Sequence, residues 1–255
     1  MAPAASRTLE STIRRLEEDA EAPRPQFSEG FVRFATRHDL TDWEGWFSPY
    51  DDQVYESVLS YIGSEDVVLD VGAGDLRLAL RMAVQAEEVY AVEVNPLLLS
   101  RALKIIGLDL PRNLHVICAN ALDLPVPPDV TVAVLLMRHC QHFRTYFDRL
   151  RASDCQRLLT NARWKTGVEL IDLTVPAVSF EDVREGWYAC RCGATGYAGT
   201  GSQPNAPPAE VDSCPACYGS KPKGPRPKRE ERASGNEETA TAASPEERCA
   251  ATKTT

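Results

Sequence analysis

The stretch Val-Val-Leu-Asp-Val-Gly-Ala-Gly-Asp at Val67 to Asp75, answered by Ala-Val-Glu-Val-Asn-Pro at Ala91 to Pro96, decides how this chain is read. Val67 to Leu69 are apolar and rich in β-branched side chains, as in a strand buried on both faces, and they run straight into a turn with Gly72 and Gly74. Glycine there lets the backbone take left-handed dihedrals and come close to a ligand. After the turn, Leu76, Ala79, Leu80, Ala83 and Val84 recur at helical spacing, so strand, turn and helix follow in order. Val89 to Val92 form a second apolar strand that ends in Glu93. A carboxylate about twenty residues past the glycines suits a ribose diol, because its two oxygens accept both hydroxyl hydrogens. Asn95 and Pro96 cap and start a helix over Leu97 to Ile106, and Gly107 suits its end.

A glycine turn between strand and helix also serves close packing with no ligand at all. Against that alternative stands a third element, the apolar strand Leu114 to Cys118, which leads into Ala-Asn-Ala-Leu-Asp at Ala119 to Asp123. Asn120 and Asp123 can hydrogen-bond an adenine that lies against Ala121 and Leu122. The three strand ends together argue for an adenosyl ligand. A dinucleotide would call for Gly-x-Gly-x-x-Gly, and position 77 is Arg, so the fingerprint of an NAD-dependent oxidoreductase fails.

At these residues the chain resembles the class I S-adenosylmethionine-dependent methyltransferases. The likeness spans roughly Phe47 to Thr174 and implies an α/β fold with a Rossmann-like, seven-stranded sheet. It implies S-adenosyl-L-methionine as cofactor, held by Asp70, Gly72, Ala73, Gly74, Glu93, Val94, Asn120, Ala121, Leu122 and Asp123. The chain departs from the superfamily at Leu76, where a third glycine is common. Phe-Ser-Pro-Tyr at Phe47 to Tyr50, then Val54, Val58 and Gly-Asp-Leu-Arg-Leu from Gly74, looks most like the small protein-lysine methyltransferases of the archaeal type.

A fourth strand, Val130 to Leu136, ends in Met-Arg-His-Cys-Gln-His at Met137 to His142, and the carboxyl end of that strand is where this fold presents its acceptor. The Asn/Asp-Pro-Pro-aromatic run of enzymes that methylate exocyclic base nitrogens is absent here, although Ala-Leu-Asp-Leu-Pro from Ala121 has some look of the rRNA adenine dimethylases. His139 is the candidate general base; a histidine hydrogen-bonded within its loop is the plainer alternative. His139, Cys140 and His142 offer no fourth ligand at a fitting distance, which argues against a metal there. A helix over Phe143 to Arg151 follows, then strand character in Arg157 to Ala162 and Val168 to Leu173, with little room for a long helix between them.

Cys190-Arg-Cys192 and Cys214-Pro-Ala-Cys217 are two close thiol pairs of the kind that hold zinc tetrahedrally. All four thiolates would be spent on the metal, so Zn2+ is expected to be structural and to close a zinc ribbon. Cys118, Cys140 and Cys155 read as small apolar packing residues. From Gly219 the chain is polar and without apolar period, which predicts a disordered tail. Lys221, Lys223, Arg226, Lys228, Arg229 and Arg232 give it a local basic run through which, with the ribbon, nucleic acid could be met.

The 255 residues are 43% hydrophobic, enough for one cofactor-binding domain with attachments, and the net charge of −9 argues against a protein that coats nucleic acid. The expected organisation is an N-terminal helical arm at 1–26, with Leu9, Ile13 and Leu16 on one face and a stop by Pro23. A methyltransferase domain at 27–180 follows, then the zinc ribbon at 181–218 and the disordered tail at 219–255. The aromatics Phe27, Phe31, Phe34, Trp43, Trp46, Phe47 and Tyr50 could form a lid over the cofactor or simply pack a cap on the sheet. No apolar run has the length of a signal peptide or a membrane span, so a cytoplasmic location with no membrane partner is expected. The expected activity is methyl transfer to a protein side chain or small molecule. The alternatives are a non-catalytic methyltransferase-like module that binds protein or nucleic acid through its ribbon, and an rRNA adenine methyltransferase-like enzyme.

Overall fold

The computed structural model describes residues 4–21, 33, 36, 48–165, 167–200 and 207–219. The disordered-tail expectation for 220–255 and the lid aromatics other than Tyr50 lie outside the described residues. Met1–Gly219 form one compact unit.

The quoted stretch becomes β1 (Val67–Val71), the turn, and the helix Arg77–Met82. Around it lie β2 (Glu88–Glu93), β3 (Leu114–Cys118), β4 (Val132–Leu135), β5 (Arg157–Thr160) and β6 (Glu169–Asp172), in the order β3-β2-β1-β4-β5-β6. β1 to β5 are parallel, with Val71 beside Val92 and Leu135, and β6 returns antiparallel to β5. This is the α/β, Rossmann-like sheet expected. Its strand count among the described residues is six, a correction to the seven expected. Residues 161–168, which join β5 to β6, suffice for a hairpin-like return but not for a crossover helix with a further strand.

One face of the sheet carries α1 (Ala4–Glu21), α2 (Asp52–Leu59), α3 (Arg77–Met82) and α4 (Pro96–Ile106), packed on Val68, Val89 and Val132. α1 ends before Pro23 and docks through buried Thr12 and Leu16, with ion pairs Arg81–Glu17 at 3.2 Å and Arg101–Asp19 at 2.7 Å along its flank. α4 starts as the sequence predicts: Asn95 Oδ1 accepts from the amides of Leu97 (3.0 Å) and Leu98 (3.2 Å), Pro96 opens the first turn, and Gly107 ends the helix at φ 61°.

On the opposite face α5 (Phe143–Arg151) sends Phe143, Phe147 and Leu150 onto Leu69, Val71 and Leu158. No helix lies between β3 and β4, where residues 119–131 make turns. β7 (Gly186–Cys190), β8 (Thr195–Ala198) and β9 (Ala209–Val211) form a second, three-stranded sheet, followed by α6 (Pro215–Gly219). Cys118 departs from the packing role expected of it, since it ends the edge strand β3 and is exposed, whereas Cys155 is buried. Among the described residues, no helix is long and apolar enough to cross a membrane.

Candidate cofactor cleft and cysteine centre

Because β1 and β2 are parallel neighbours, Asp70 and Glu93 arrive at adjacent strand tips on either side of the glycine turn. The turn is tied down by the amides of Gly72 and Ala73, which donate to the Val92 carbonyl at 2.8 and 3.1 Å. Gly72 and Gly74 have φ of 77° and 60°. A side chain on Gly72 would also strike Met137, whose Cε lies 2.7 Å from where its Cβ would sit, so the loop after β4 leans directly on the turn. Leu76 takes φ 68° and ψ 5° at the N-cap of α3 and is fully buried. The backbone therefore keeps the left-handed conformation at the departure noted in the sequence, even though the residue is leucine. The strain is about 1–2 kcal/mol, and burial of the side chain offsets it.

Glu93 is 8% exposed. Its Oε2 accepts from the Gly74 amide at 2.9 Å and its Oε1 from the Asn95 amide at 2.8 Å, and the Val94 amide also donates to this carboxylate. Burial, the largest influence, raises its carboxyl above the usual range. Asp70 is fully enclosed, and burial first, then the Glu93 charge, push its carboxyl up to about 7. Its Oδ2 has no hydrogen-bond partner among the described residues. An unpaired oxygen in a dry site costs about 1–3 kcal/mol, a cost that a ligand amine beside it would remove.

A further buried charge, at the start of the helix that follows the turn, was not expected from the sequence. Arg77 is buried with Nε on Asp75 Oδ2 at 2.9 Å, and its Nη2 is likewise without a partner among the described residues. Tyr55 packs beside it, the Arg77 guanidinium carbon 6.0 Å from the ring centre, and burial, then the Asp75 charge, push its phenol up to about 12. In the sequence Arg77 counted as the residue that breaks a dinucleotide fingerprint and as part of the Gly-Asp-Leu-Arg-Leu run, with no site role of its own. Its pairing with Asp75 two positions earlier was the one available signal.

The strand tips bring Asp70, Gly72, Ala73, Gly74, Glu93 and Val94 together through pairing of β1 with β2, and Asn120 to Asp123 follow the next strand, β3. Asn120 Oδ1 accepts from the Leu122 amide at 3.0 Å, so part of its hydrogen-bonding capacity shapes its own loop. Asp123 is exposed. Arg149 of α5 supports this loop from below, donating to the carbonyls of Ala121 (3.0 Å), Leu122 (2.7 Å) and Leu124. Beside it lies an apolar pocket of about 220 Å³ with Leu69, Val71, Val92 and Ile117 as floor and Leu124, Pro125 and Tyr146 among its walls. It occupies the space that a helix between β3 and β4 would fill.

At the carboxyl end of β4, the Tyr50 hydroxyl donates to the Leu136 carbonyl at 3.2 Å and the Arg138 guanidinium sits 5.0 Å over the Tyr50 ring. His139 is exposed on the turn between β4 and α5. Asn161, one residue past β5, is 1% exposed with neither amide atom partnered among the described residues.

Cys190, Cys192, Cys214 and Cys217 converge from the end of β7, the turn after it and the start of α6, with all four sulfurs within 4.8 Å of one another. Sulfur separations are 3.7 Å for Cys190–Cys217, 3.7 Å for Cys192–Cys214 and 3.9 Å for Cys214–Cys217. Four thiolates at about 2.3 Å from a tetrahedral zinc stand about 3.8 Å apart, so the donor set fits that ion. Burial raises the Cys190 and Cys192 thiols, so metal uptake here would release protons.

The family model described as a methyltransferase domain matches residues 68–161, from β1 to the turn after β5. No curated protein matches the chain. Similar solved structures include the YcgJ protein from Bacillus subtilis, 21% identical over 43% of this chain and 50% of that one with a TM-score of 0.37. Precorrin-6y C5,15-methyltransferase from Geobacter metallireducens GS-15 is 18% identical over 45% of this chain and 66% of that one, with a TM-score of 0.38. TYW2 from M. jannaschii, in complex with AdoMet, is 19% identical over 45% and 52% of the two chains, with a TM-score of 0.37. The matched part thus spans between half and two thirds of each of these proteins. Residues 68–161 thus match a methyltransferase-domain family model, and the strands within that stretch form a parallel sheet in the order β3-β2-β1-β4-β5.

Proposed function

We propose that this chain binds S-adenosylmethionine at the tips of β1, β2 and β3 and methylates a nitrogen or sulfur nucleophile on a protein side chain or small molecule, with a structural zinc ion in its cysteine module. The observation that carries the reading is the pair of buried carboxylates, Asp70 and Glu93, on adjacent strands around a left-handed glycine turn. When bound, the cofactor supplies a sulfonium methyl carbon open to in-line attack.

The chain's own residues then divide the work. Asp70 offers its unpaired oxygen to an ammonium group, and Arg77 offers its unpaired Nη2 to a carboxylate, so the two suit the two charges of an amino-acid end. Glu93 offers its remaining acceptor capacity to a ribose diol. Asn120, Ala121 and Leu122 provide an edge and an apolar wall for adenine, steadied by Arg149. Met137, lying on Gly72, ties the loop after β4 to the turn, and His139 in that loop is the candidate for taking a proton from the nucleophile. Positioning does most of the work for an amine or thiol acceptor.

Calorimetry with S-adenosylmethionine tests this reading. Binding should weaken more than tenfold, about 1.4 kcal/mol, in Glu93→Ala. Undiminished affinity in that variant removes Glu93 from the site. The acceptor class is tested by incubating cell extract with the protein and a labelled methyl donor, then identifying the labelled species by mass spectrometry. Label found only in RNA would overturn it.

A further inference from the structure

The cysteine module touches the α/β domain at one corner, and that corner is the root of the acceptor loop. Phe143, the first residue of α5, ends the loop Met137 to His142 and is 2% exposed. Its ring is held from two sides. From the module, Gly193 in the turn after Cys192 approaches so closely that a Cβ there would stand 3.4 Å from the ring. From the turn after β5, the guanidinium carbon of Arg163 lies 5.8 Å from the ring centre. Arg163 itself is pinned on both sides of the junction. Its Nε and Nη2 donate to Glu169 of β6 at 2.9 and 2.7 Å, and its Nη1 and Nη2 donate to Glu210 of β9 at 2.6 Å each. Its side chain is 1% exposed, so these are bonds in a dry setting. Trp164 meets Trp187 of β7 edge to face at 5.8 Å, and the Val178 amide donates to the Glu210 carbonyl at 2.9 Å. The cofactor-holding carboxylates Asp70 and Glu93 sit instead on β1 and β2, two and three places from β5 in the sheet order.

We propose that Arg163 and Phe143 are positioning residues through which the metal-loaded cysteine module holds the acceptor loop, so that emptying the metal site loosens Met137 to Phe143 and the turn after β5 while the cofactor-holding tips of β1 and β2 stay formed. The inference rests on the zinc and methyltransferase readings above. Folding of the module is coupled to its metal, because three buried side chains at its centre, Cys190, Val211 and Cys214, make too small a core to hold it alone. When the module opens, Glu210 leaves Arg163 and Gly193 leaves Phe143. The loop loses both supports at once.

Hydrogen exchange reads this directly, without a known acceptor. Zinc-loaded protein is compared with protein stripped by a chelator, following the amides of Cys140, Tyr146 and Lys165, which donate to Met137, His142 and Asn161 carbonyls, against those of Gly72, Ala73 and Ala119, which donate within the cofactor end. The first set should exchange at least fivefold faster after stripping and the second less than twofold, with the Kd for S-adenosylmethionine changed less than threefold. Unchanged exchange at Cys140 and Tyr146, with the module itself deprotected, overturns the proposal. So does equal acceleration of both sets. Arg163→Gln and Glu210→Gln, studied with zinc retained by native mass measurement, should reproduce the same pattern at smaller amplitude, and no change in either overturns the proposal even where stripping unfolds the chain. A protein that takes up no zinc sinks the metal reading alone, and the two variants still decide whether the junction holds the loop.

Discussion

One face of the six-stranded sheet is covered by α1 to α4, whose buried residues from Leu16 to Ile106 pack on Val68, Val89 and Val132; the other has α5, a loop, a hairpin turn and the cysteine module. On the first face α2 and α4 start at side-chain caps from Asp51 and Asn95. The second lacks a helix between β3 and β4, keeps a pocket of about 220 Å³ there, and ends at a junction of ion pairs and aromatic edges. The difference teaches that the two ends are held by different forces: the tips of β1 and β2 by apolar packing and backbone hydrogen bonds, and the turn after β5 by a charged junction to the cysteine module.

The comparison breaks most visibly at Arg163. Replacing it with Met leaves Glu169 and Glu210 facing a dry junction without their cation, and loss of one partner of such a buried pair costs about 3–5 kcal/mol. Glu210 is a third exposed, which moves the expectation to the lower end. Urea titration measures it, and a loss under about 1 kcal/mol would place this junction among ordinary surface ion pairs. The next largest effect belongs to the opposite face. Leu76→Gly relieves about 1–2 kcal/mol of left-handed strain but removes a fully buried side chain worth about 2–5 kcal/mol, so a net loss of about 2 kcal/mol is expected. A gain in stability would mean that strain, not burial, governs this turn.

Much of the sheet and of the helices on both faces was legible beforehand, where the signals are short-range. The helix over Phe143 to Arg151 and the strand Leu114 to Cys118 have the bounds that apolar spacing gave, and Asn95, Pro96 and Gly107 act as the caps their chemistry suggests. The glycine turn and Glu93 were legible for the same reason: strand, turn and next strand follow within one crossover. Arg77, Arg149 and Arg163 were not. Each acts through a partner fixed by the tertiary fold or through an unpaired nitrogen, and an arginine's charge in a sequence looks the same whether it faces water or a buried carbonyl. The seventh strand was an expectation carried by likeness, and the chain spent those residues on the route to the cysteines.

Asp70 sharpens the cofactor side of the comparison through pH. Its folded carboxyl lies at about 7, above its ordinary 3.8, so between those values the ligand-free native state holds a proton that the unfolded chain has lost. The contribution of this group to stability is therefore fullest below pH 4 and falls as pH rises through 7. An ammonium beside Asp70 ionises it, so binding below pH 7 releases a proton, and affinity for S-adenosylmethionine should rise with pH by up to about tenfold per unit, 1.4 kcal/mol, levelling above 7. Calorimetry in buffers of different ionisation enthalpy counts the proton. No release at pH 6 would mean that Asp70 faces something other than a cation.

The smallest effect separates the two faces on a single strand. Val68 and Val71 both lie in β1, nearly fully buried, Val68 toward the helices and Val71 toward the pocket. Isoleucine at either site keeps the β-branch the strand prefers and adds one methylene. At Val68 that methylene enters a filled layer and should cost about 1–3 kcal/mol. At Val71 it enters open apolar space and should contribute up to about 0.8 kcal/mol of stability. Thermal unfolding of the two variants side by side gives the sign of each. Equal losses would mean that the second face is packed as tightly as the first at that level of the sheet, and that its looseness is confined to the junction with the cysteine module.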